Sequence, residues 1–297
     1  MRRVGVIGAS GWLGRHLVRR LLAQGWSVVG FSRTKRTEQA IEWRQWDGEG
    51  DLDLEGIDSL VNLAGERIDQ RWTKQRKREF YESRVVLSQR LAREVQQSDV
   101  SVLLNSSAVG FYGERGEEEL GERSLRGEGY LAHLCEQWEQ AVELPNTVRV
   151  CFLRTGVVLG RGGSAWGKLR MVFQYGLGGR LGSGQHWVPW IHLDDEIGAM
   201  IHCLENEITG PVNLVAPESL KNVDLTRALG RALKRPAIFP VPASVLKLLL
   251  GEFAKEALLS STRAIPEVLE ATRYHFKFPQ IKGALDDLLG NDLGEAG

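Results

Sequence analysis

Short apolar runs alternate along this chain with stretches whose apolar residues recur every three to four positions. Arg3–Ile7 has the pattern of a buried strand, and His16–Ala23 sets Leu17, Val18, Leu21 and Leu22 at helical spacing before Gly25 ends it. Ser27–Phe31 is a second strand run, which completes a strand-helix-strand unit. Further strands are predicted at Trp43–Trp46, at Ser59–Gly65, from Val102 into the serine pair Ser106-Ser107, at Val148–Arg154 and at Val212–Val215. Asp194-Asp195 opens a helix with Ile197, Met200, Ile201 and Leu204 on one face, and the first acid is its expected N-cap. Strands alternating with amphipathic helices predict an α/β fold: a Rossmann-like, doubly wound, mainly parallel sheet.

Glycines crowd the region from Gly160 to Gly184, which reads as loops and one helix over a crevice, with Lys168 and Trp187 available to a polar ligand. Beyond it follow a helix at Asp224–Ala232, an extended segment at Ala237–Val241 and a helical remainder. The expected division is a nucleotide-binding domain of residues 1–160 with 188–216, and a discontinuous substrate lobe of 161–187 with 217–297. The crevice between them should hold both ligands.

Composition narrows the choice of partner. In 297 residues, 38 Lys+Arg balance 38 Asp+Glu, so there is no global field to attract nucleic acid or an anionic membrane, and neither is expected as a partner. Apolar stretches such as Val241–Leu250 are interrupted by Pro, Ser or Lys before the ~20 residues a bilayer needs. The basic start at Arg2-Arg3 is followed by glycines and then Arg15 and His16, unlike a signal peptide. Cys135, Cys151 and Cys203 lack metal-ligand spacing, so no metal site is expected, and they read as buried reduced thiols in a cytoplasmic protein.

The chemistry begins in the turn after the first strand, Gly8-Ala-Ser10-Gly11-Trp12-Leu13-Gly14. Gly8 permits a sharp bend, Gly11 leaves room for a pyrophosphate beside the backbone, and Gly14 lets the helix pack closely on the strand. The diphosphate then meets the free N–H groups of the helix start. Where an NAD-selective site would place an acid, at the end of the second strand, stand Ser32 and Arg33. A guanidinium there can hold a 2′-phosphate, so the expected cofactor is NADP(H). Asp47 is a candidate acceptor for the adenine amino group, and Leu63, Ala64 and Gly65 end the fourth strand with side chains small enough to admit a ring. Arg67–Arg78, the most basic window, reads as a solvated helical face or as a phosphate-steering rim.

Val102–Gly113 runs into a serine pair, Ser106 and Ser107, and then Tyr112. Taken with the glycine turn, Asn62–Gly65, Arg154–Gly160 and Trp190–Asp195, this segment resembles the extended short-chain dehydrogenase/reductase superfamily. More narrowly it resembles the atypical branch of nucleoside-diphosphate-sugar epimerase-like proteins, over about residues 3 to 290. The resemblance implies cofactor contacts at Ser32 and Arg33, Leu63 and Ala64, Glu79 and Arg84, and Val158. It also exposes a departure. Active members of the superfamily pair a Tyr with a Lys four residues later, which lowers the phenol's pKa. Here the segment is Tyr130-Leu131-Ala132-His133-Leu134-Cys135. The pair is Tyr130 with Leu134 or, if Glu139 sets the register, Leu131 with Cys135. The lysine is absent in both.

Ser107, to orient substrate, and Tyr112, as acid or base, are the catalytic candidates that remain; Tyr112 in a packing role is the alternative. Two functions follow. One is an NADP(H)-dependent oxidoreductase or epimerase acting on a polar small molecule, such as a nucleotide sugar, as monomer or homodimer. The other is an NADPH-binding sensor with little turnover.

Overall fold

The computed structural model describes residues 2–36 and 40–290. Its central sheet has seven strands: β1 (Arg3–Ile7), β2 (Ser27–Ser32), β3 (Glu42–Gln45), β4 (Ser59–Asn62), β5 (Val102–Ala108), β6 (Arg149–Thr155) and β7 (Gly210–Leu214). They lie in the spatial order β7-β6-β5-β4-β1-β2-β3, every pair parallel. The winding reverses between β1 and β4, and ligand crevices of doubly wound sheets open at that point. Register sharpens this: Ile7 pairs with both Phe31 and Asn62, so the turns leaving β1, β2 and β4 emerge together at one edge.

The period-2 pattern distributes the strands between two cores. Val4, Val6 and Val28 face α1 (Trp12–Ala23) and α6 (Leu193–Glu205), through Leu17, Leu21, Ile197 and Met200. Ile7, Val29, Leu60 and Leu103 face Leu91 and Val95 of α3 (Leu87–Gln96). A π-helical turn, Glu82–Val86, joins α3 to α2 (Lys74–Tyr81). Helix α1 begins at Trp12, four residues before the apolar periodicity does, because the turn leads straight into it. A Cβ at Gly14 would stand 2.2 Å from the Gly8 carbonyl oxygen, so helix and strand meet at a distance only glycine allows.

Two expectations about the second half change. The N-cap of α6 is His192, whose Nδ1 accepts from the Asp194 amide at 3.1 Å; Asp194 itself pairs with Lys277 at 2.6 Å. Asp195 is buried and accepts from the Lys277 and Phe278 amides at 2.7 and 2.8 Å, pinning the returning chain to the helix. The expected lobe has a core of Trp166 and Phe173 from α5 (Ser164–Gln174), Leu225 and Leu229 from α7 (Asn222–Ala232), and Ile281 and Leu285. Leu269, with Val268, Tyr274 and Phe276, joins the sheet core instead, so the lobe is not closed off at residue 217. Residues 291–297 of that lobe lie outside the described residues.

Glu196, fully buried on α6, accepts from Thr155 Oγ1 at 2.9 Å, and burial pushes its carboxyl up to about 8 against that hydrogen bond. The folded protein therefore keeps a proton that the unfolded chain releases above its ordinary 4.5, and stability falls as pH rises from that value through about 8. Glu196→Gln keeps the shape without the titration. Denaturant unfolding between pH 5 and 8 should show the native chain losing a few kcal/mol more than the variant. Equal pH dependence would contradict the assignment.

Candidate functional site

A cleft of about 860 Å³ opens where β1, β2 and β4 end. Gly8, Ser10 and Gly11 line it after β1, Ser32 and Arg33 after β2, Asp47 after β3, Leu63, Ala64 and Gly65 after β4, and Glu79 on α2. Gly8 has φ +83°, and a Cβ there would press within 3.0–3.2 Å of the Leu63 and Ala64 backbone. A Cβ at Gly11 would meet only the Gly8 carbonyl, at 3.1 Å. No side chain caps α1 and its first turn holds no acid. Its leading amides are therefore unscreened donors, the arrangement that binds a diphosphate. The opposite edge is braced from below: Asn62 Nδ2 donates to Asn105 Oδ1 at 2.8 Å, and Asn62 Oδ1 accepts from the Ala64 amide at 3.1 Å.

The charges in the cleft fall into two kinds. Arg76 is tied to Glu79 at 2.7 Å, and Asp47 Oδ1 accepts from the Glu49 amide at 2.8 Å. Arg33 is exposed, and among the described residues its guanidinium has no ion pair. Arg36, Trp46, Glu66, Arg76 and Arg90 also line the wall and are not among the expected cofactor residues. Arg36 follows Arg33 in the basic run after β2, Glu66 follows Gly65, Trp46 ends the expected third strand and Arg76 belongs to the basic window; Arg90 stands in no motif. Arg90 reaches the site from α3 by donating to the Gly48 carbonyl, a contact no local pattern announces.

Six expected cofactor residues lie outside this wall. Trp12 donates through Nε1 to the Arg161 carbonyl at 2.8 Å and packs on Gly160 and Gly163, while Leu13 and Val158 pack on the sheet core. Gly14 sits at the helix–strand contact. Arg84 lies just behind the wall, donating to the Glu66 carbonyl at 2.9 Å over the Trp138 ring, and burial lowers its pKa. Ser106 Oγ donates to the Asn62 carbonyl at 2.6 Å.

Neither catalytic candidate is free. Ser107 is buried and donates to Glu139 Oε1 at 2.6 Å. Tyr112 is fully buried; its hydroxyl donates to Asn213 Oδ1 at 2.7 Å and accepts from Arg154 at 3.0 Å, and burial pushes its pKa up to about 12. Arg154 completes the network with bonds of 2.7 and 2.8 Å to Glu139. A phenol so enclosed and so bonded has the environment of the packing role rather than that of an acid or base.

The register left open on α4 (Tyr130–Gln140) is also decided. Tyr130 turns away, donating to the Lys77 carbonyl at 3.0 Å. Leu131 packs on Gly110, where a Cβ would lie 2.6 Å from its side chain, and the Cys135 thiol lies against Ala108. The helix face toward the end of β5 thus offers an alkyl group and a thiol that burial pushes up to about 12.

Residues 4–215 match the NAD dependent epimerase/dehydratase family, and residues 241–288 match a domain of unknown function, DUF1731. The chain is 35% identical to the epimerase family protein SDR39U1 homolog, chloroplastic, of Arabidopsis thaliana, covering 95% of this chain and 85% of that one. Among solved structures it is similar to human epimerase family protein SDR39U1 (isoform 2) with NADPH: TM-score 0.90, 33% identity, 97% of this chain and 99% of the other. It also resembles a nucleoside-diphosphate sugar epimerase from Corynebacterium glutamicum: TM-score 0.80, 32% identity, 97% of this chain and 58% of the other.

Tyr112→Phe removes one hydroxyl from the buried network. It should lower unfolding stability by about 1–3 kcal/mol and leave affinity for a nicotinamide coenzyme within a factor of about two. A tenfold loss of affinity in titration calorimetry, with stability intact, would return Tyr112 to the site.

Proposed function

Because this chain belongs to the NAD dependent epimerase/dehydratase family, we propose that its cleft binds NADP(H) and serves an oxidoreductase or epimerase reaction on a polar hydroxyl or carbonyl compound. The observation that carries the cofactor choice is Arg33, an exposed guanidinium at the end of β2 without an ion pair among the described residues. Gly8 and Gly11 hold the diphosphate against the first amides of α1, Arg33 takes the 2′-phosphate, and Asp47 accepts from the adenine amino group. Leu63, Ala64 and Gly65 keep the edge after β4 low, and Glu79 holds Arg76 along the rim. When bound, the nicotinamide supplies or accepts hydride. A nucleotide-linked sugar is the substrate class the resemblance favours.

Proton exchange falls to water, since Ser107, Tyr112 and Tyr130 are all committed to internal hydrogen bonds and the Cys135 thiol is buried. That same observation favours a second reading, an NADPH-responsive binding protein with little turnover. The three free, buried cysteines fit a reducing compartment, the cytoplasm in the simplest case.

Arg33→Asp should weaken NADPH by about 10- to 100-fold in calorimetry and NADH much less. Equal losses would overturn the role of Arg33. A panel of nucleotide sugars, sugars and small carbonyls, followed by nicotinamide absorbance and by product analysis for epimerisation, separates the two functions. Turnover on any member supports the enzyme; tight NADPH binding without product across the panel supports the sensor.

A further inference from the structure

The exposed apolar side chains of this protein are concentrated on its second half. Tyr175 and Leu177 follow α5, Ile238 and Phe239 lie in the extended segment, and Leu248 and Leu249 are on α8 (Ala243–Leu250); all six are between 53% and 78% exposed. The first two segments are fastened side by side, and α8 continues from the second through Pro242. Arg235 Nε donates to the Gln174 carbonyl at 3.0 Å, the Phe239 amide to Gly178 at 3.2 Å, and the Gly182 amide to Val241 at 2.9 Å. Helix α8 buries Leu246, packs Leu250 against the cluster of Trp72 and Phe253, and leaves Val245, Leu248 and Leu249 exposed. Single exposed apolar residues need no explanation, but a joined set on three adjacent segments marks an interaction surface.

Cations predominate around this set, with Glu252 just beyond the end of α8. No Asp or Glu stands between Glu143 and Asp194, or between Asp224 and Glu252, the two stretches that build the patch. Arg180, Lys234, Arg235 and Lys247 are exposed in it, and among the described residues none of them is paired with a carboxylate. Zero net charge over the whole chain conceals this, because the balancing acids lie elsewhere.

We infer that this face is a docking surface for an anionic phospholipid membrane, which it engages peripherally through its apolar side chains with the cations at headgroup level. Exposed Leu, Ile, Phe and Tyr rimmed by Lys and Arg is the composition that lies in a bilayer interface. No described helix is long and apolar enough to cross a membrane, so the contact is interfacial. A second copy of the chain fits less well. A two-fold contact would set the same cations against each other with no acidic complement.

The test is flotation of the full chain with vesicles of phosphatidylcholine alone and of phosphatidylcholine mixed with phosphatidylglycerol. Expected is at least about tenfold stronger partitioning onto the anionic vesicles, reduced by added salt. Lys234→Glu with Lys247→Glu should abolish the preference, and Leu248→Glu with Leu249→Glu should abolish binding, both with unchanged unfolding midpoints. Absent or charge-independent binding of the native chain overturns the inference, whatever the variants do. So does a concentration-dependent dimer in sedimentation that the leucine substitutions dissolve, since it assigns the patch to a second copy. No nicotinamide coenzyme enters the experiment, so its outcome is independent of the cofactor reading.

Discussion

Arg154 is 4% exposed in the middle of the fold, and a buried guanidinium without partners would cost several kcal/mol. Its neighbours answer that demand from four directions: Glu139 on α4 with two bonds, Tyr112 beyond β5, the Glu122 carbonyl, and through Tyr112 the Asn213 amide on β7. Asn213 extends the network to the Leu120 and Ile265 carbonyls. One ion pair thus draws together sheet, crossover helix and returning chain. It also engages Ser107 and Tyr112, the serine and the tyrosine nearest the expected reaction centre, in internal hydrogen bonds.

The two ends of the crevice are consequently unlike. The dinucleotide end is a formed, polar cleft whose geometry rests on backbone approach: Gly8 against Leu63, Gly14 against Gly8, and the Asn62–Asn105 bond beneath the β4 turn. Near the end of β5, Leu131 packs on Gly110 and the Cys135 thiol lies against Ala108, where the resemblance would place a proton-transfer pair. Lys168 of α5 bonds Asp69 at 2.7 Å, and Arg67 joins it. Burial works to raise the Asp69 carboxyl, but the two cations outweigh it and hold it at about 2, so this tie persists at any ordinary pH. The tie engages Lys168, and Trp187, read with it as available to a polar ligand, lies beneath the Arg263 and Lys221 cations.

The charge distribution carries a related lesson. Equal numbers of acids and bases suggest an indifferent surface, yet the acids avoid two long stretches that the fold brings together. An average over the chain measures the far field, whereas recognition at contact depends on the few groups within a Debye length.

Local pattern by itself pointed to the parallel α/β sheet, the succession of its elements, the glycine turn and nine of the ten expected residues that line the cleft, because backbone geometry follows from features a few residues apart. Glu79 enters only through the family resemblance, since its own spacing reads as a surface helix. The pattern overextended β4 to Gly65 and began α1 late, since apolar periodicity is silent where a turn hands over to an element. Only tertiary structure decided that Ser107 and Tyr112 are internal braces, that Leu131 and Cys135 face the end of β5, and that Arg90 reaches the cleft. Whether a hydroxyl is a catalyst or a strut depends on which groups come within 3 Å of it, and for Tyr112 those are Arg154 and Asn213, on strands far away in sequence.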